Sequence, residues 1–182
     1  MVSGVDRLNR MTIRASSPDQ QVQVTLSDGD NFAVAFQPGA YERYRERALE
    51  QQLTRLATGV WSGYRRGYLT VVSELTGQPV GVGQHTSDSQ RRRFQEARAR
   101  LVSTGESPKG LVRVESVGLV RWQIDIRDGA LAGLTEQEFL AELNSAVRAL
   151  LTDYYARMIK LKDAFFDLNL DGRDRWFGRH GR

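Results

Sequence analysis

The stretch QRRRFQEARAR (90–100) holds five arginines, Arg91, Arg92, Arg93, Arg98 and Arg100, against one glutamate, Glu96. Guanidinium groups at this density point to one kind of chemistry, charge-assisted and often bidentate hydrogen bonds to phosphate oxygens. Such contacts give affinity without reading a base sequence, and they weaken steeply with salt. On a helical wheel Phe94, Ala97 and Leu101 form a narrow apolar stripe. Arg91 and Arg98 flank one edge of it and Arg93 and Arg100 the other. Arg92 points away, one turn before Glu96, at the spacing of an i,i+4 ion pair. The same placement also describes a solvated helix face whose arginine stems cover the rim of a docking stripe. The residues alone leave both readings open.

Two further groups share the arginine chemistry. Arg65 and Arg66 lie in GVWSGYRRGY, where Gly59, Gly63 and Gly67 recur every four residues. Glycine costs a helix about 1 kcal/mol relative to alanine, so three on one face predict the close approach of another helix or backbone. Tyr64 and its counterpart Tyr154 are expected at that packing interface. Arg173 and Arg175 lie in NLDGRDRWFGRHGR (169–182), beside Trp176 and Phe177. Either these aromatics fold back onto the body, or they dock a partner or stack on bases.

Other chemistries find no complete set. There is no cysteine, which excludes disulfides, thiolate catalysis and Cys-ligated zinc. His85 and His180 have no partner at metal-ligand spacing, and neither completes a Ser-His-acid set. DLNLDG (167–172) copies the first half of a calcium loop, but the glutamate position falls on Gly178 and a usually apolar one on Asp174. Glu136/Glu138 and Asp125/Asp128 have capping or surface roles available. The expectation is a protein that is not an enzyme and has no cofactor and no metal.

Composition bounds the rest. The 182 residues are 40% hydrophobic and 26% charged, ordinary for a globular protein. The net charge of +4 is spread thinly: residues 1–80 carry 9 Arg against 8 acids, residues 81–168 carry 13 Lys+Arg against 12. Residues 169–182 carry 4 Arg against 2 acids. No apolar run approaches the roughly 18 residues of a membrane span, and the first residues lack the apolar core of a secretory signal. A cytoplasmic location is expected.

The elements that position these residues come in two similar sets. VQVTL (22–26) and NFAVAFQ (31–37) alternate around SDGDN, as a β-hairpin does, and MTIRA (11–15) offers a further strand. A helix with a 3.6-residue period follows from about Tyr41 to Leu75. In the second half LVRVESV (111–117) and VRWQIDI (120–126) alternate, and a helix runs from about Glu136 to Leu168. Its start carries a capping box, Thr135 with Glu138. The halves align without a gap at an offset of 90, Val22 on Val112, Phe32 on Trp122, Leu53 on Leu143 and Tyr64 on Tyr154. A gapless register over more than fifty residues favours an internal duplication. TGQPVGVGQHTSDS, rich in Gly, Ser and Thr, reads as the linker.

A basic amphipathic helix (about 88–103), TGESPKG, GLVRVESVG, VRWQIDI and a closing helix follow in that order. This plan resembles the YbaB/EbfC family of bacterial nucleoid-associated proteins over residues 88–168. Residues 11–75 resemble the same plan without the leading helix. The family's acidic-proline step after the second strand is replaced here by Arg127-Asp128-Gly129. The resemblance implies an α+β fold of two YbaB-like units, each a small antiparallel sheet with a long C-terminal helix, pairing within the chain as a pseudo-dimer. The expected organisation is a unit at 11–75, a linker at 76–87, a complete unit at 88–168 and a basic flexible tail at 169–182.

The resemblance also implies binding of double-stranded DNA through Arg65, Arg66, Arg91, Arg92, Arg93, Arg98, Arg100, Arg173 and Arg175, and then a place in the nucleoid. Actinobacterial relatives of this fold in type VII secretion loci imply the alternative, a protein-interaction adaptor or chaperone without DNA. A homo-oligomeric scaffold is the third reading. Fold alone does not choose between them.

Overall fold

A computed structural model describes residues 12–27, 31–76 and 89–166. The fold is α+β, as expected, with two three-stranded antiparallel sheets and two long helices. In the first half β1 (Ile13–Ser16), β2 (Val22–Ser27) and β3 (Asn31–Phe36) form a sheet, and a 3-10 turn (Tyr41–Arg43) leads into α1 (Glu46–Thr76). In the second half α2 (Ser89–Ala99) precedes a sheet of β4 (Val102–Glu106), β5 (Val112–Val117) and β6 (Arg121–Ile126). A short α3 (Ala130–Gly133) then leads into α4 (Glu136–Phe166).

The offset of 90 holds element by element. β2 and β5, β3 and β6, and α1 and α4 share both bounds after the shift. The strand register repeats too: Val22 faces Phe36 and Ser27 faces Asn31, while Val112 faces Ile126 and Val117 faces Arg121. The turn chemistry is common to both halves. The hydroxyl of Ser17 accepts the Val22 amide at 2.9 Å, and that of Ser107 accepts the Val112 amide at 3.0 Å. Each turn needs one residue in the left-handed region. Gly110 supplies it at φ 64° in the second half, whereas Gln20 adopts φ 60° in the first, a conformation uncommon for a residue with a Cβ.

Each long helix holds the turn before its own β-hairpin. Gln52 Oε1 accepts from the Asp19 amide at 3.4 Å, and the buried Glu142 Oε2 accepts from the Lys109 amide at 3.3 Å. The capping box at the start of α4 forms as its spacing requires. The Thr135 amide donates to Glu138 Oε2 at 2.8 Å, and the Glu138 amide donates to Thr135 Oγ1 at 3.3 Å. Those bonds favour the ionised side chain and hold the Glu138 carboxyl below its ordinary range.

The structure corrects the basic helix. It ends at Ala99, not near residue 103, and Val102–Glu106 instead form β4, paired from Val102↔Val117 to Glu106↔Arg113. The packing of Gly105 explains why. A Cβ there would lie 2.1 Å from the Ala146 carbonyl oxygen and 2.3 Å from the Leu150 amide nitrogen. Only glycine lets β4 lie flush on the backbone of α4.

The halves share one apolar core, and they close it unequally. Val112, Val114, Trp122, Ile124 and Ile126 are buried, whereas Val24, Phe32, Val34 and Phe36 are half-buried. α1 packs across the chain onto β6, and its side chains satisfy the outer edge of that strand and the first turn of α3. Thr54 Oγ1 accepts from Ile124 N at 3.2 Å, Glu50 Oε1 from Ile126 N at 2.8 Å and Glu46 Oε1 from Leu131 N at 3.3 Å. α4 lies on β4 and β5 of its own half and makes no comparable contact with β3. An aromatic cluster ties the other end: Tyr41 meets Phe36 at 5.4 Å and Phe139 at 5.7 Å between ring centroids. The Tyr41 hydroxyl donates toward the carbonyls of Leu134 (3.1 Å) and Leu131 (3.3 Å) in the second half. Burial and the surrounding glutamates push that hydroxyl up to about 12.

Candidate nucleic-acid interface

α2 docks by the narrow stripe its sequence offers. Phe94 stands edge-on to Phe165 of α4, ring centroids 5.7 Å apart, and Leu101 packs against the core. At its start the Gln90 side-chain amide donates to the Phe165 carbonyl. No residue of α2 is buried. The helix therefore rides on the outer half of α4, with its polar face in solvent.

All five arginines of the run are exposed. Arg93 Nε donates weakly to the Ser89 carbonyl at 3.4 Å. The pairing expected between Arg92 and Glu96 is not formed, and among the described residues Arg91, Arg92, Arg98 and Arg100 have no carboxylate partner. Their positive charge is therefore uncompensated at contact range, which a phosphate grip requires and a salt-bridged helix face lacks.

The guanidiniums of Arg98 of α2 and Arg65 of α1 both act electrostatically on Tyr154 of α4. Burial pushes the Tyr154 hydroxyl above its ordinary range, while the Arg98 and Arg65 guanidiniums pull it back. Tyr154 itself is buried, 7% exposed. Arg66 is exposed on the neighbouring position of α1 and makes its own contact. Arg173, Arg175 and the histidines lie outside the described residues, as do DLNLDG and residues 77–88 of the linker.

Among the described residues Gly59 and Gly63 of α1 do not seat a second helix of the chain. Gly59 is exposed, and a Cβ there would meet nothing within 4 Å. A Cβ at Gly63 would meet the Ile13 side chain of β1 at 3.3 Å, a strand of the same half. Gly67 is half-buried. Tyr64 stacks on Trp61 at 5.4 Å, one turn away, not on Tyr154. The position matching Gly63 is Asp153, which holds β4 instead. Its carboxylate accepts from the Thr104 amide at 3.1 Å and from Arg157 Nε at 2.8 Å. Burial pushes Asp153 up, and these two donors together outweigh it, so the carboxyl lies below its ordinary range.

Among the described residues no group of three His, Asp or Glu side chains could hold a metal ion, and no helix is long and apolar enough to cross a membrane. The chain matches no protein-family model, no curated protein and no solved structure.

Proposed function

We propose that the protein is a non-enzymatic, sequence-tolerant binder of double-stranded DNA, acting through arginine–phosphate contacts in the cytoplasm or on the nucleoid. The observation that carries this reading is α2, an exposed helix whose arginines lack carboxylate partners among the described residues. No zinc-finger or helix-turn-helix element is evident to enter a major groove, so affinity should come from the backbone and fall with salt. On this reading the two YbaB-like units pair within one chain, α1 closing the sheet of the second half.

The test is fluorescence anisotropy of a labelled random duplex at low and near-physiological salt. Wild type is compared with a variant in which Arg91, Arg93, Arg98 and Arg100 are changed to alanine. The reading expects salt-sensitive binding that the still-folded variant loses. An absence of binding at low salt would sink it.

One observation favours the second reading, a protein-interaction adaptor. Tyr155 (48% exposed) and Ile159 (54%) stand one turn apart on α4, an apolar pair that a partner's surface could cover. That reading expects Ile159→Asp to abolish a complex with a protein partner while leaving any DNA affinity unchanged. A second copy of the chain as the partner would give the scaffold reading.

A further inference from the structure

The repeated halves do not fill the space between them equally. Trp61 of α1 stands edge-on to Trp122 of β6, with ring centroids 5.9 Å apart. At the corresponding positions of the other pair stand Leu151 of α4 and Phe32 of β3. Two indoles on one side are answered by an isobutyl and a phenyl on the other. A cavity of about 70 Å³ is left, and all fourteen described side chains lining it are apolar. Such a space offers a water none of the two to four polar partners it needs. Its walls are not all closed, because Val24, Phe32, Val34, Ala57, Trp61 and Val147 are only half-buried.

Next to the cavity is a second recess of different character. It is lined by Asn31, Arg148, Leu151, Thr152 and Tyr155. Leu151 lines both spaces, so the apolar cavity and the polar recess share a wall. Arg148 is exposed, and its guanidinium has no ion-pair partner among the described residues. Among the described residues it is the one cation of the recess. The Thr152 hydroxyl is already committed to the Arg148 carbonyl at 3.0 Å, and Arg148, Asn31 and Tyr155 are the other polar side chains lining the recess.

We propose that the cavity and the recess together form a site for a small amphipathic carboxylate, a short acyl chain in the apolar cavity with its carboxylate on Arg148. A single guanidinium matches a planar, singly charged group, which it can bind in bidentate fashion. The size fits a short chain: a cavity that admits benzene measures about 150 Å³, roughly twice this one, so a few methylenes fill it. The site lies on the first-half side of α4 and is separate from the α2 arginines.

Sodium butyrate titrated against intrinsic tryptophan fluorescence tests this, since Trp61 and Trp122 both line the cavity. Acetate supplies the head without the tail, and 1-butanol the tail without the head. The proposal expects a saturable response to butyrate and none to acetate. Arg148→Gln should weaken butyrate by about threefold or more and leave 1-butanol unchanged. Leu151→Phe, or Val147→Phe should the first unfold, fills the cavity and should abolish both responses while the thermal transition is retained. The proposal fails if wild type shows no saturable butyrate response, if Arg148→Gln weakens both ligands equally, or if the filled variants respond as wild type does.

Discussion

Thr54 and Asn144 hold the same place in the two halves, and only Thr54 is hydrogen-bonded across them. The Thr54 hydroxyl accepts the Ile124 amide at 3.2 Å. The counterpart of Ile124 is Val34, yet Asn144 Oδ1 is buried with no partner among the described residues. A buried carbonyl without a donor costs about 1–3 kcal/mol. Asn144→Leu is therefore expected to stabilise the protein by about 1 kcal/mol and to raise Tm by roughly 2–4 °C. Thr54→Val should do the reverse, because it strands the Ile124 amide. Differential scanning calorimetry of both variants checks the opposite signs; equal destabilisation would contradict the asymmetry.

Gly105 should tolerate nothing larger. Its missing Cβ would meet backbone atoms of α4 at 2.1 and 2.3 Å, and backbone cannot swing aside as a side chain can. Gly105→Ala is expected to cost about 3 kcal/mol or more, read as a shift in the urea midpoint. Ala15 holds the matching position in β1, and Ala15→Gly should cost under about 1 kcal/mol.

Asp153 gives an acid-side prediction. Its carboxyl lies below its unfolded value of 3.8, so its contribution is fully present above about pH 5 and is lost as pH falls through the lower folded value. Asp153→Asn keeps an acceptor for the Thr104 amide but loses the ion pair with Arg157. The variant should be less stable than wild type by up to about 1 kcal/mol at neutral pH. The two curves of Tm against pH should converge below pH 4. A gap that stays constant down to acid pH would contradict the shift.

For DNA, the salt slope separates the arginines. Each phosphate contact adds about 0.9 to the slope of log K against log salt. Arg98→Ala and Arg65→Ala should each lower the slope by about that amount, whereas Arg148→Ala, on the other side of α4, should leave it unchanged. Anisotropy titrations at four salt concentrations measure this.

The strand pairing, both long helices and the capping box were legible in the sequence, because alternation at period 2 and an apolar stripe at period 3.6 are local and both halves carry them. β4 was not. Val102-Ser103-Thr104-Gly105 lacks an apolar face of its own, and what fixes it is the fit of Gly105 onto α4, a contact some forty residues away. The surroundings of the glycine run were not legible for a related reason: spacing shows that glycines share a helix face, not what lies opposite. At Gly59 the answer is open space, and at Gly63 it is the side chain of Ile13. The arginine run was visible, but the docking of its helix through Phe94 onto Phe165 depends on a contact some seventy residues away. The cavity was invisible, since it arises from a mismatch in volume between Trp61 with Trp122 and Leu151 with Phe32.

The crossing of α1 onto β6 also sets an order of events during synthesis. Thr54, Glu50 and Glu46 find their partners 70, 76 and 85 residues further along the chain. At roughly 5–20 residues per second, α1 waits about 4–15 s on the ribosome before the strand it covers has emerged. Through that interval its apolar face, Leu49, Leu53, Leu56 and Val60, has only the first sheet to shelter on. A nascent chain stalled before β6 is therefore the form of this protein most exposed to chaperones and to aggregation.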